Sequence, residues 1–462
     1  MKIREACSCI FGVERQCQWS IMSGVLQPLG SLFYIVDPNS TAFKEPDDVP
    51  NYTNEAIPLF IAFIVLEWLV VKLKKLGKIR HNDFINSLSH GIVYDVFGVV
   101  FRSFTLWGYD WLYERRVIDL DWSSPVTWWV AALGVDLGYY WFHRATHEVN
   151  LIWASHQVHH SSEEYNLSTA LRQSMFQRYF SFGVYQPLAL LGVPLSAILV
   201  HAQFNLLYQF WIHTEVVKNC GPLEWVLNTP SHHRVHHGAS KWCLDKNYAG
   251  VLIIWDRLFG TFEPERKDEK IAYGLVGQPQ SQNVLWLQFF YFGAVFQKAR
   301  SMSTCGDALR ALFYGPGWFP GTPRLGDPDT FPDVRAPRAK YDPQLPLWQE
   351  VYVVVHFLVI MILHNIFISQ SATLSWITVL MFFVFIFVSV GIIGAMYDGW
   401  WWAPLVEAAR CVAYVAYARD MAVTNIVLLD TAILAYFAMS TLLWVSQSLA
   451  VVKATVKAAK LE

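Results

Sequence analysis

Three apolar runs close to the carboxy terminus, 347–368, 373–396 and 426–450, most constrain the fold, because each reaches the roughly 20 residues that a helix needs to cross a bilayer. Together with a run at Pro58–Val71 they make the chain an all-α, polytopic integral membrane protein. Composition agrees: 16% of the residues are charged and 54% hydrophobic, where soluble domains carry about a quarter charged residues. The formal net charge of −2 leaves no polybasic footprint for nucleic acid. Seven cysteines, odd in number and without a CxxC pair, argue against a disulfide framework. Met1 to Cys17 carries both charge signs and lacks the apolar core of a removable signal peptide.

Topology follows from charge. Lys72, Lys74, Lys75, Lys78 and Arg80 follow the Pro58–Val71 run at once, and the positive-inside rule places them in the cytosol. The sequons at Asn39 and Asn51 precede that run and fall in the lumen, so two independent signals agree. Residues 20–36, with Pro28, predict a short interfacial helix or a weak span. Further spans are expected at 86–109 and 124–142, although Arg115 and Arg116 in the intervening lumenal turn run against this topology. The apolar stretch 181–217, broken at Gly192-Val193-Pro194, predicts a helical hairpin, and a shorter apolar run covers 403–417. We divide the chain into an N-terminal lumenal or interfacial segment (1–57), a membrane-embedded core (58–260), a cytosolic Pro-rich segment of helix and loop (261–346) and C-terminal transmembrane helices (347–462).

Within the core, histidines recur with a common spacing: His143-x3-His147, His156-x2-His159-His160 and His233-x2-His236-His237. On a helix, residues three or four apart share one face, so each group presents its imidazoles together. Asn205, Gln209 and His213 step by four and add a further imidazole. The predicted topology delivers all of these to the cytosolic face. Nine imidazoles (His143, His147, His156, His159, His160, His213, His233, His236, His237) exceed what one ion takes and suit two neighbouring ions, a dimetal centre for redox chemistry with oxygen on lipid. His232 is either a tenth ligand or an outer group. The isolated His90, His201, His356 and His364 read as hydrogen-bonded core residues. Asp136, two turns before His143, is a candidate acceptor for a ligating imidazole or the partner of Arg144 or Arg172. Glu148, directly after His147, is either an outer carboxylate or a solvated charge.

Asp136-x3-Tyr140-x2-His143-Arg144-x2-His147, Trp153-x2-His156-x2-His159-His160 and Asn166-x2-Thr169-x2-Arg172 resemble the fatty acid hydroxylase/sterol desaturase superfamily of membrane di-iron enzymes. Asn228-Thr229-Pro230-x2-His233-x2-His236-His237, Asn247-Tyr248-x-Gly250 and Trp255-Asp256 extend the likeness over about 130 residues. The resemblance implies two iron ions on the nine histidines, with Asp136, Glu148, Asn166 and Arg172 as candidate catalytic residues around them. The phrases 163–174 and 205–215 are similar to the superfamily's tetrahydrobiopterin-dependent, ether-lipid-cleaving branch. That likeness implies an endoplasmic reticulum location, O2 and tetrahydrobiopterin as co-reactants, and a glyceryl ether substrate. Hydroxylation beside the ether oxygen would give a hemiacetal that collapses to fatty aldehyde and glycerol. No pterin-binding motif can be read from the sequence, and the resemblance leaves Glu148 as a candidate pterin contact. The competing expectations are sterol C4-methyl oxidation or fatty acyl hydroxylation by the same centre, and, more remotely, a histidine-lined metal transporter. The last predicts ionisable residues spread along several spans, whereas Glu67 and Asp430 are too scattered to form a path.

Overall fold

The computed structural model describes residues 27–101, 108–181, 183–419, 423, 424 and 426–459. The amino-terminal reading at Met1–Cys17 lies outside them. Twelve helices frame the site: α1 (Ile57–Leu73), α2 (His81–Val100), α3 (Pro125–Glu148), α4 (Asn150–His160), α5 (Leu195–Ile212), α6 (Pro230–His236), α7 (Val284–Arg300), α8 (Cys305–Phe313), α9 (Leu347–Gln370), α10 (Trp376–Tyr397), α11 (Ala403–Ala418) and α12 (Val427–Ala459). No strand longer than an isolated bridge occurs among the described residues.

Four helical segments are long and apolar enough to span a membrane: Pro46–Leu73, Leu347–Gln370, Trp376–Tyr397 and Val427–Leu449. The expected spans at 86–109 and 124–142 also form helices, α2 and α3, but they are not among these four. Their buried faces mix polar with apolar side chains: α2 buries Asn82, Asp83, Asn86, Ser87, Ser89 and His90 beside Ile85, Ile92, Val93 and Val96, and α3 buries Asp136, His143 and His147 beside Trp128, Val135 and Phe142. These helices were recruited to hold a site as well as to fill the interior. The 181–217 hairpin has one long arm only, α5. Its first arm is a single short helical piece, Gln186–Leu190, because Pro187 at its start and the Gly192-Val193-Pro194 turn after it allow no longer helix.

Local sequence explains the elbow that builds the site. Ser124 caps α3, accepting from Val126 N–H, with Pro125 at the first helical position. Val149 then leaves helical geometry (φ −124°, ψ 111°), and α4 starts at the next residue. Asn150 fixes the bend through its N–H to Tyr314 O (2.8 Å) and its side-chain amide to Ala311 O (2.9 Å), which ties it to the end of α8.

The C-terminal bundle is welded to this core by its own apolar cluster and by a linker. Asn283 Nδ2 donates to Gly391 O (2.9 Å), and Gln282 N–H donates to Asp398 Oδ1 (2.7 Å). At Gly394 on α10 a Cβ would collide with the backbone of Gln282 and Asn283, so the helix passes this strand of chain with no room for a methyl group. Gly394→Ala is expected to cost at least about 1–3 kcal/mol and to lower the thermal midpoint in detergent; an unchanged midpoint would show that the contact is not maintained. Inside the bundle, Arg410 donates to both oxygens of Glu407 and to His356 Nε2 (2.7 Å), all three side chains being buried. His90 and His201 likewise have core partners, Gln288 and Tyr34, each at 2.8 Å.

Candidate metal centre

The nine histidines converge, and they divide. His143, His147, His156, His160 and His236 form one buried group, and His159, His213, His233 and His237 a second, with the candidate ligand atoms in each group within 4.8 Å of one another. The division cuts across the sequence motifs. Residues four apart (143/147, 156/160, 233/237) stay in one group, while His159 and His236, at the intermediate position, cross to the other. Each His-x2-His-His motif therefore serves both groups. The expectation that His156, His159 and His160 act together is corrected accordingly: on a helix the i+3 residue is rotated away from the i, i+4 pair by enough to face a different centre.

Outer hydrogen bonds decide what the rings offer. His143 Nδ1 meets Tyr248 O (2.7 Å), His159 Nδ1 meets Arg172 O (3.1 Å), His213 Nδ1 meets Gln209 O (2.6 Å), His236 Nδ1 meets Lys246 O (2.9 Å), and His156 Nδ1 meets the Gln177 side-chain oxygen (2.9 Å). A carbonyl oxygen only accepts, so each of these Nδ1 atoms carries the proton and Nε2 is a bare lone pair. Burial holds His156 and His213 down to about 4, which keeps them neutral at physiological pH. The bare Nε2 atoms then face each other: His143 and His156 at 3.0 Å, His213 and His159 at 3.2 Å. His213 Nε2 also lies 3.0 Å from His233 Nε2 and 3.2 Å from His237 Nε2. Opposed lone pairs at that distance in a dry interior repel, and a cation between them turns the repulsion into coordination. All nine side chains belong to residues that are 6% exposed or less.

Gln177 is the one outer partner here that a substitution can remove without touching the backbone. Gln177→Leu frees His156 to adopt the other tautomer, and metal affinity of the five-histidine group is expected to fall by about 10–100-fold. Chelator competition would measure it, and an unchanged affinity would deny Gln177 that role.

The other anticipated residues sit around the centre in different ways. Asp136 meets neither an imidazole nor Arg144 or Arg172; it accepts from Asn205, Trp255 and the N–H groups of Val251 and Leu252. Glu148 is neither solvated nor against a ring, being paired with Arg144 and Arg324, each at 2.7 Å. Arg172 holds Asp83 (2.9 Å), Ser87 and Ser161, and reaches the centre through its carbonyl on His159. Asn166 builds the turn before it by accepting from Ser168. His232 belongs to neither group. Glu67, read from the sequence only as too scattered to belong to a transport path, accepts from Leu167 N–H (2.9 Å) and from Thr214, the neighbour of His213, from its place on α1. A carboxylate in a membrane span is by itself a signal of such a role. Gln177, Lys246 and the Tyr248 carbonyl carried no such signal.

The helical membrane scaffold gathers nine buried imidazoles into two neighbouring groups, the arrangement of a histidine-rich metal centre, and residues 128–261 match the fatty acid hydroxylase family. Residues 349–435 match the alkylglycerol monooxygenase C-terminal domain. Alkylglycerol monooxygenase from Danio rerio is 45% identical over 84% of this chain and 87% of its own length, and that from Homo sapiens is 44% identical over 86% and 88%. An ornithine lipid hydroxylase from Rhizobium tropici is 31% identical over 31% of this chain. The chain belongs to the alkylglycerol monooxygenase family, as a multi-pass membrane oxidoreductase. No solved structure matches it.

Proposed function

We propose that the chain is a tetrahydrobiopterin-dependent di-iron monooxygenase that hydroxylates the carbon beside the ether oxygen of 1-O-alkylglycerols, yielding a hemiacetal that breaks down to fatty aldehyde and glycerol. The observation that carries this reading is the pair of buried histidine groups, five of whose rings are held through Nδ1 with Nε2 left bare. Neutral imidazoles whose Nε2 atoms lie 3.0–3.2 Å apart are a donor set that would hold transition-metal ions such as iron. His143, His147, His156, His160 and His236 would hold one ion and His159, His213, His233 and His237 the other, and the pair would supply O2 activation for C–H oxidation. The histidines bind; the carbonyls of Tyr248, Arg172, Gln209 and Lys246 orient them; and the surrounding helices exclude water from the oxidation.

Within this reading the segment 58–260 is the hydroxylase core, 261–346 lies in the cytosol, and the centre faces the cytosol from the endoplasmic reticulum membrane. The basic cluster after α1 and the sequons before it support that orientation. Metal analysis with oxygen uptake on an alkylglycerol, with and without tetrahydrobiopterin, tests the function. Iron-loaded protein should consume oxygen only with both present; equal uptake without pterin would end the pterin assignment, and turnover of a sterol or ceramide alone would end the substrate assignment.

A further inference from the structure

Helix α7 is apolar where the segment around it is polar. No charged residue occurs from 284 to 297, a run of the length that suits a re-entrant or interfacial helix better than a span. The helix buries Val284, Leu287, Gln288 and Val295, and its opposite face carries Trp286, Phe289 and Phe296, each at least 40% exposed. Helix α8 packs on α7 and adds Leu309 and Phe313, one turn apart and each more than half exposed. Phe319 adds a further exposed ring, over which Lys298 Nζ sits at 4.3 Å while donating to Pro316 O (2.9 Å). An apolar face of this kind is rare on a surface that meets water and marks a contact.

Two neighbouring helices fix the depth of that face. Asn283 caps α7 and donates to Gly391 O (2.9 Å), and a Cβ on Gly391 would lie 2.9 Å from Leu285 Cδ1. Gly391 precedes the end of the span α10 at Tyr397 by six residues, so α7 begins about 9 Å inside that end. Farther along, Gln288 Nε2 donates to His90 Nδ1 (2.8 Å). His90 is nine residues into α2 from His81, about 14 Å below the basic cluster that ends at Arg80. With its 17 residues α7 is about 26 Å long and too short to cross a hydrocarbon core of roughly 30 Å. Its inner side is tied to the histidine helix α4, since Gln157 Nε2 donates to Leu287 O (3.0 Å).

We propose that α7, α8 and Phe319 dock in one leaflet of the bilayer, with Trp286, Phe289 and Phe296 among the acyl chains and Lys298 and Arg300 at the headgroups. The leaflet is the cytosolic one, a choice that rests on the orientation put forward above. Continuity carries the proposal: α7 starts against the embedded part of α10, and its outer face has no charge until the helix ends. The long stem of Lys298 lets its ammonium reach polar partners while its carbons stay on apolar surface. The segment 261–346 thus approaches the membrane from its cytosolic side and sinks one helical pair into it, and lipid meets the back of α4 through a single layer of protein.

The test places full-length, metal-loaded protein in nanodiscs of phosphatidylcholine brominated on its acyl chains. Phe289→Cys and Phe296→Cys, each in a Cys305→Ser background, are labelled with bimane, and the emission of the background protein is subtracted. Both should lose emission in brominated lipid and none to aqueous iodide, with metal content unchanged, whereas bimane on Arg335→Cys, an exposed position, should respond to iodide alone. Quenching of either stripe position by iodide overturns the proposal, and so does quenching by neither agent, which would mean that a protein covers the face. Should one of the two variants lose its metal, Trp286→Cys takes its place. The leaflet is read separately from the native Cys305, exposed at the start of α8. On sealed microsomes a membrane-impermeant maleimide should label wild type more than Cys305→Ser. Labelling that requires opened vesicles would end the cytosolic orientation and the leaflet assignment with it, while the bromine result still decides insertion.

Discussion

Replacing His147 with alanine is expected to remove one of two metal ions, and replacing His213 to remove the other. Each variant should retain about one equivalent per chain and lose activity by at least about a hundredfold, since even outer partners of metal ligands are worth about 10–100-fold. The expectation follows from the division of the nine rings into five and four, with no histidine shared between the groups. His147 Nε2 is buried, has no protein partner and lies in the five-histidine group. His213 Nε2 is the hub of its group, within 3.0–3.2 Å of three other Nε2 atoms. Its loss should therefore empty the four-histidine position more completely than loss of His147 empties the larger one. Elemental analysis of the purified variants checks this. Two ions retained in either would refute the division, and loss of both in each would mean that the groups bind as a single unit.

Replacing Asp136 with alanine should leave little folded protein. Its two oxygens take four donors: Asn205 Nδ2 (2.7 Å), Val251 N–H (2.9 Å), Trp255 Nε1 (2.9 Å) and Leu252 N–H (3.0 Å). Each buried donor left without an acceptor costs about 1–3 kcal/mol, and the sum rivals a whole domain's stability of about 5–15 kcal/mol. The residues affected reach directly to the centre. Asn205 lies on α5 two turns before His213, and the loop held by Asp136 includes Tyr248, whose carbonyl orients His143. Asp136→Asn keeps an acceptor but turns an amide group toward donors, so it should fall between wild type and alanine. Thermal melting with metal content measures the series; an alanine variant with wild-type values would remove Asp136 from the support of the site.

The close approach at Gly250 belongs to the same node. A Cβ there would lie 2.7 Å from Asn205 Oδ1 and 2.9 Å from the Tyr139 ring, so the motif Asn247-Tyr248-x-Gly250 needs its glycine for space. Asn247 itself sits at φ 54° and holds His232 O and Glu263 O through its side chain. Asparagine tolerates that left-handed geometry better than most residues. Both features were present in the motif as letters, but their reasons are spatial.

Local chemistry in the chain was sufficient to name the membrane class and all nine imidazoles. Apolar length and helical spacing are one-dimensional signals, and a histidine four residues from another cannot avoid sharing its face. Polar support was less legible. Asp136 and Glu148 stood close to ligands along the chain, yet one holds a loop 115 residues or more away and the other pairs with Arg324. Glu67 looked isolated because its partners, Leu167 and Thr214, are 100 and 147 residues distant. Hydrogen bonds need about 3 Å and a defined angle, and sequence separation carries no information about either. What the sequence by itself determined was the inventory: helices that span, and rings that must face inward together. Only the tertiary structure decided which ring joins which group, which nitrogen carries the proton, and which acid supports the site, because those depend on how α3, α4, α5 and α6 meet.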